Sequence, residues 1–341
     1  NALLNIPNPA LKRLAFEELI AHQLSQFQRK LADKQWQAPP LKSSAKQTQQ
    51  FLDNLSFQLT HAQQRVINEI KIDCANNSPM LRLIQGDVGS GKTVVSAYAA
   101  LLALSSNFQV AIMAPTELLA EQHLRYFSLW FEPFDVQIIF LTGQLKGKQR
   151  QQALEAIADG SAGIIIGTHA LFQDAVTFAR LGLVIIDEQH RFGVNQRMAL
   201  RDKGQHNNSK PHQLIMTATP IPRTLAMLNY ADLDISIIDE LPPGRIPVVT
   251  RAISADRRNE VIAKISNWVQ QGRQSYWVCT LIEKSEVLQC EAAEKTAVLL
   301  TETLADVRIG LVHGRMKAAD KDQVMQAFKE HQLDLLVATT V

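Results

Sequence analysis

The sequence predicts an α/β protein of two tandem parallel-sheet domains behind an N-terminal helical extension, and three observations carry this. From Phe57 onward, short apolar runs alternate with helical stretches, the pattern of strands joined by crossover helices. At Asp239 to Pro247, DELPPGRIP, three prolines and a glycine interrupt everything regular. Beyond that break the alternation resumes. A chain of 341 residues also exceeds the usual single domain. The expected division is an extension and linker at 1–56, a first domain at 57–241 and a second at 242–341.

Each element follows from its own pattern. Phe16, Leu19, Ile20, Leu24, Phe27 and Leu31 recur at steps of three and four among charged residues, which predicts one amphipathic helix over 9–34. It requires a surface to lie on. The stretch 37–50, with Pro39, Pro40 and several Ser, Lys and Gln, reads as a linker or exposed loop. Strands are expected at 81–85, 110–114, 136–141, 163–167, 183–186 and 213–216, because these runs are apolar on both faces, as buried parallel strands are. Helices are expected at 94–104, 117–131 and 148–158. In the second domain the expected order is strand 248–253, helix 257–271, strand 275–280, helix 287–304, strand 307–312, helix 317–331 and strand 333–339.

The most informative stretch is Leu81 to Thr93, LRLIQGDVGSGKT, where Gly86, Gly91, Lys92 and Thr93 fit G-x-x-x-x-G-K-[ST] without mismatch. Such a loop, Gly86, Asp87, Val88, Gly89, Ser90, Gly91, Lys92 and Thr93, curls its backbone N–H groups toward phosphate oxygens. The following helix adds its positive end. Lys92 would reach the β and γ phosphates, and the Thr93 hydroxyl would hold Mg²⁺. ATP with Mg²⁺ is the expected cofactor, and the domains are read as P-loop sheets.

Catalytic groups in open α/β sheets sit beyond the carboxyl ends of strands. There, after the apolar run 183–186, stand Asp187, Glu188, Gln189 and His190. Asp187 would hold Mg²⁺, and Glu188 would orient and deprotonate the attacking water. TATPIPRT at 217–224 follows another strand and by itself reads as an ordered turn. Thr60 and Gln63 lie before the helix that feeds the phosphate strand, and the Gln63 amide carries the donors and acceptor needed to read an adenine edge.

Composition bounds the partners. Net charge is only +2, so nucleic-acid binding must come from local cations and backbone donors. Arg191, Arg197, Arg201 and Lys203 form one such spacing. No run approaches the ~18 apolar residues of a membrane span, and the N-terminus is not a signal peptide. Three cysteines, Cys74, Cys279 and Cys290, without a C-x-x-C pair suit a reducing compartment. A cytoplasmic protein without membrane association is expected, and a monomer, since nothing suggests an obligate interface.

LTHAQQR (59–65), GDVGSGKT (86–93), APTELLAEQH (114–123), GTHAL (167–171), DEQHRFGVNQR (187–197), MTATPIPRT (216–224), LPPGRIP (241–247), YWVCTLIEKSE (276–286) and VHGRMK (312–317) together resemble superfamily 2 helicases, within them the bacterial DNA repair helicases. The resemblance covers nearly the whole chain. It implies two tandem RecA-like domains, the second truncated, and ATP-driven translocation that remodels branched DNA and stalled forks. It also implies that Gln63 reads adenine and that Pro115, Thr116, Gly143, Thr168 and His169 lie along DNA in the first motor domain. In the second, His313, Gly314, Arg315, Ala338 and Thr339 would grip the strand. Thr217, Ala218 and Thr219, with Gln189 and His190, would couple hydrolysis to domain movement.

The resemblance also implies a branch-binding domain before residue 1 and an arginine motif after Val341, so weak turnover is expected of residues 1–341 alone. A related family, the transcription-repair coupling translocases, shares TATPIPRT, but a second Glu is expected there at position 189. From another class, a nucleotide-gated DNA-binding module with little turnover is the alternative.

Overall fold

The computed structural model describes residues 9–33, 36–188, 203, 209–219, 233–242, 248–279 and 286–339. The chain divides into two compact units, Asn1–Ile246 and Pro247–Val341. The first opens with helix α1 (Pro9–Asp33), then α2 (Ala45–Asp53) and α3 (His61–Cys74). There follow β1 (Leu81–Gly86), α4 (Lys92–Ser105), β2 (Gln109–Met113), α5 (Glu117–Phe131), β3 (Gln137–Leu141), α6 (Gly147–Asp159), β4 (Ala162–Gly167), β5 (Leu181–Asp187), β6 (His212–Thr217) and β7 (Asp234–Ile238). The strands form a parallel sheet in the order β3-β4-β2-β5-β6-β1-β7.

Alternation along each strand builds two cores. Ile84, Val110, Ile112, Ile164, Ile166, Leu183, Ile185, Leu214 and Met216 face α3, α4 and α5, while Leu83, Ala111, Met113, Ile165, Val184, Ile186 and Ile215 face the α6 side. Side chains buried to this degree are each worth about 1.5–3 kcal/mol relative to exposure. Helix α4 is buried continuously from Val94 to Ala103, so it is apolar all round rather than amphipathic.

The structure corrects several expectations. Residues 37–50 are not a free linker. Ala38 N–H donates to Asn77 O at 2.8 Å and Leu41 N–H to Cys74 O at 2.7 Å, with Leu41 fully buried. Lys42 N–H donates to Ser106 Oγ at 2.8 Å, and Lys210 lies 3.9 Å from the Trp36 ring centroid. This strap crosses the amino edge of the sheet, and α2 follows it behind a Ser44/Gln47 capping box. Gln63 lies inside the first turn of α3, with Thr60 as its N-cap. Strand β7 was not expected. No strand forms over 248–253, where Val248 and Val249 are 82% and 77% exposed; β-branched composition does not make a strand without a partner to pair with. Leu11, Leu14, Phe16, Leu19, Ile20 and Leu24 of α1 remain exposed and join neither core.

The second unit comprises α7 (Arg258–Gln270), β8 (Ser275–Cys279), α8 (Glu286–Thr303), β9 (Ile309–Val312), α9 (Ala318–Lys329) and β10 (Leu335–Thr339). Its parallel sheet runs β8-β10-β9, packed through Ile262, Ile265, Leu300, Leu335 and Val337.

His212 pins the strap. Its Nδ1 accepts the Met80 N–H at 3.0 Å and its Nε2–H donates to Pro39 O at 2.8 Å, so the neutral ring is satisfied. Burial holds its pKa below the ordinary 6.5, against the opposing pull of Pro39 O and Asp73. Above 6.5 both folded and unfolded states are neutral there; below it the unfolded chain takes the proton first, so this stabilisation is lost as pH falls through the folded value. Urea midpoints from pH 7.5 down to about 5 should decline in wild type, and less steeply in His212→Gln.

Candidate nucleotide and nucleic-acid site

Among the described residues, the nucleotide and nucleic-acid positions expected in the first unit follow a strand or start a helix on the carboxyl edge of its sheet. Pairing fixes which positions meet. Gln85 lies beside Thr217 and Asp187 beside Met216, so the turns after β1, β6 and β5 emerge side by side.

The phosphate loop is built on positive-φ glycines. Gly89 and Gly91 have φ of 78° and 88°, and Gly91 is the residue from which α4 starts. At Gly91 a Cβ would stand 2.2 Å from Gln63 Nε2, and at Gly86 one would stand 2.6 Å from Ser90 Oγ. Both contacts are impossible for an L side chain without displacement. Gln63, only 2% exposed, donates from Nε2 to Ser90 O at 2.8 Å, while its Oε1 accepts the Thr60 N–H at 2.9 Å. Its amide therefore straps α3 to the loop, and its acceptor, needed to read an adenine edge, is already taken in this arrangement.

Lys92 Nζ donates to Gly86 O at 2.6 Å and Asp87 O at 2.9 Å. Burial lowers its pKa, and the charges of Asp187, Glu188 and Asp87 pull the other way. The acid pair and the loop thus share one electrostatic site.

Glu188 adopts φ of 50°, unusual for a residue with a side chain. Its N–H donates to Met216 O at 2.9 Å, and its carboxylate accepts the Ala218 N–H at 3.0 Å and the Thr217 hydroxyl at 3.4 Å. Thr219 N–H in turn donates to Thr217 Oγ1 at 3.2 Å. Two of the three positions read as couplers, Thr217 and Ala218, therefore bond the residue read as the base, and Thr219 joins them through Thr217. Asp187 Oδ2 meets His123 Nε2 at 2.8 Å, a partner the sequence reading did not single out. The only available signal was the position of His123 at the end of APTELLAEQH. Gln189, His190, Arg191, Arg197 and Arg201 lie outside the described residues. Lys203 donates to Gln173 O at 2.7 Å and Val176 O at 3.0 Å, so its cation serves internal carbonyls rather than an open patch.

The positions expected to lie along DNA share the same edge. Pro115 and Thr116 follow β2, Gly143 follows β3, and Thr168 and His169 follow β4. Thr116, Gly143 and His169 are exposed, whereas Thr168 is 3% exposed and its hydroxyl lacks a partner, so it does not present to a strand of DNA here. In the second unit Ala338 pairs with Val312, which sets His313, Gly314 and Arg315 beside Ala338 and Thr339. Arg315 is exposed, while His313 Nε2 faces Glu294 at 3.4 Å.

The residues fit a magnesium nucleotide. Ser90 Oγ is buried with no partner inside the loop, a donor awaiting an acceptor such as a phosphate oxygen. Thr93 and Asp187 offer hard oxygen donors, the type Mg²⁺ takes alongside phosphate oxygens and water. A cleft of about 240 Å³ lined by Gln85, Gly86, Asp87, Ala218 and Ile237 to Leu241 adjoins the loop. Glu240 at its rim accepts the Ala62 N–H at 2.9 Å, capping α3.

The chain as a whole is similar to known proteins. Residues 60–228 match the DEAD/DEAH box helicase family and 256–341 the helicase conserved C-terminal domain. The ATP-dependent DNA helicase RecG of Pasteurella multocida is 57% identical over 335 residues, 98% of this chain and 48% of that protein. RecG of Escherichia coli K12 is 55% identical, with the same 98% and 48% coverage. A structure of RecG bound to a three-way DNA junction superposes with a TM-score of 0.79 at 38% identity, covering 96% of this chain and 42% of that one. The chain belongs to the RecG family of helicases. It spans about half the length of its curated RecG relatives. The DEAD-box helicase Mss116 bound to RNA, at TM-score 0.61 and 15% identity, shares the fold alone. RecG membership makes the two parallel sheets RecA-like.

Gly91→Ala should weaken ATP binding tenfold or more, from about 1–2 kcal/mol of left-handed strain plus displacement of Gln63. Fluorescent-nucleotide titration checks this. In a Gln63→Ala background the same substitution should cost measurably less, because the clash is gone while the strain remains.

Proposed function

We propose that this chain is the motor of an ATP-dependent DNA helicase or translocase that works on branched DNA and stalled forks, with 57–241 and 242–341 as its two motor domains and the bacterial cytoplasm as its location. The observation that carries the reading is the meeting of Lys92, the Asp187–Glu188 pair and the 217–219 turn on one strand edge. Support for branched DNA comes from the RecG relative solved on a three-way junction.

The chemistry follows from the groups present. Loop N–H groups, the Ser90 hydroxyl and Lys92 hold the polyphosphate of ATP. Bound Mg²⁺, held by Thr93 and Asp187, would neutralise charge on the β and γ phosphates. Glu188 takes a proton from the attacking water as the water oxygen bonds the γ phosphorus and the bond to ADP breaks, yielding ADP and phosphate.

In the arrangement seen, the Glu188 carboxylate is occupied by the Ala218 N–H on one oxygen and the Thr217 hydroxyl on the other, so both oxygens that could take a proton from water are already engaged. Movement of the 217–219 turn therefore changes the base, which is how coupling would act. Gln63 reads adenine in this proposal only by exchanging the Thr60 N–H for the base edge. Positions after β2, β3, β4 and β9, and at the end of β10, bind DNA through backbone N–H groups, hydroxyls and isolated cations, so recognition is independent of sequence. The proposed working state is a monomer.

Steady-state ATPase of the full-length protein, without DNA and with duplex or forked DNA, tests the reading. Lys92→Ala should lose about 10²-fold or more, and Glu188→Gln should keep nucleotide affinity while losing about 10²–10⁴ in turnover. Normal turnover in either variant removes that residue from its role. Nucleotide binding without DNA-stimulated turnover in wild type favours the nucleotide-gated module instead.

A further inference from the structure

The carboxyl edge of the first sheet divides into two halves. The positions proposed to lie along DNA follow β3, β4 and β2, and those proposed to hold and cleave the nucleotide follow β5, β6 and β1. The seam lies between β2 and β5, which pair directly, Met113 beside Ile186. A side-chain contact crosses it: His123, carried by the helix that follows β2, meets Asp187 at the end of β5 at 2.8 Å.

Both partners are enclosed. The His123 and Asp187 side chains are 5% and 14% exposed, and the imidazole stands edge to face with the fully buried Phe127 at 6.3 Å between centroids. An ionised carboxylate only accepts, so the proton of the hydrogen bond sits on Nε2. Occupation of Oδ2 by the imidazole fixes how the other carboxylate oxygen is aimed, since a hydrogen-bonded partner orients a carboxylate that holds a metal.

The other end of α5 belongs to the DNA half. Its cap is Thr116, whose Oγ1 accepts the Leu119 N–H at 3.3 Å. Glu117, in its first turn, accepts the Gln144 amide at 2.5 Å, and Gln144 adjoins Gly143 in the turn after β3. His123 stands seven residues beyond Thr116, about 10 Å along a continuous helix.

We infer that His123 is a positioning residue through which the DNA-facing start of α5 and the metal-holding carboxylate of Asp187 sense one another. A displacement of α5 on DNA carries His123 with it and re-aims Asp187. By linkage, magnesium nucleotide at Asp187 alters the grip of Pro115 and Thr116 on DNA by the same factor. The inference rests on the proposed roles of Asp187 and of the positions after β2.

The test measures the Kd of a fluorescent non-hydrolysable ATP analogue on the full-length protein, with and without forked DNA, in Mg²⁺ and again in EDTA. The ratio of the two Kd values is the coupling factor. Wild type should show a factor of about five or more in Mg²⁺. His123→Ala should bring it within about twofold of one, leaving the affinity for DNA alone and for nucleotide in EDTA unchanged. His123→Gln, whose amide N–H reaches the same acceptor, should restore most of the factor, a rescue that a purely structural role would not produce.

A wild-type protein that fails to bind DNA overturns the functional reading and this inference together. DNA binding by wild type with an undiminished factor in His123→Ala overturns the inference alone. Should the alanine variant not fold, His123→Leu, which fills the space without a donor, replaces it, and equal factors in the Leu and Gln variants overturn the inference.

Discussion

Parallel strands all point one way, so every turn that leaves a strand's carboxyl end emerges on the same edge of the sheet, and only strand order decides which turns are neighbours. Here β1, β6 and β5 are adjacent although they are far apart in the chain. The phosphate loop, the 217–219 turn and the Asp187–Glu188 pair come together for that reason. Altered strand order would leave each motif intact and the site dispersed.

Within that frame, polar groups are committed to one another rather than left to water. Gln63 closes on the loop, Glu188 on the 217–219 turn, Asp187 on His123, and Lys92 on two loop carbonyls. Hydrogen bonds to charged groups are worth about 1.5–3 kcal/mol each when formed and cost at least as much when one partner is removed. A nucleotide seated here would have to compete for partners already engaged. On the opposite edge, His212 and the strap from Trp36 to Lys42 close the amino ends of the strands.

Central strands were legible because both faces are buried and nearly every residue is apolar. Edge strand β7 was not, since Ile235 and Ile237 are more than a third exposed and its composition is unremarkable among loops. The segment 248–253 erred the other way, its valines reading as a strand where the described residues offer no partner. Helix α2 was hidden by its polarity; its only local mark was a Ser44 to Gln47 capping box, and polar runs with prolines nearby read as linker. The phosphate loop and acid pair were legible because their chemistry is local in sequence. His123 was not, because its meaning lies in a partner 64 residues away. The occupied amide of Gln63 was equally hidden, since it depends on a left-handed Gly91 packed against it. Roles along the DNA came from resemblance alone.

Helix α4 begins at Lys92 and is walled in on every side, with Ala97, Ala99, Ala100 and Ala103 fully buried. Those alanines set the distance between the helix and the layers around it, and a larger side chain at any of them has nowhere to go except by pushing the helix. Because the loop is the forward end of that same rigid rod, its position is determined from behind as much as from within. Selection on nucleotide binding therefore reaches residues roughly 10–15 Å from any phosphate. A screen for loss of binding will return alanines in the middle of α4 that never touch the nucleotide.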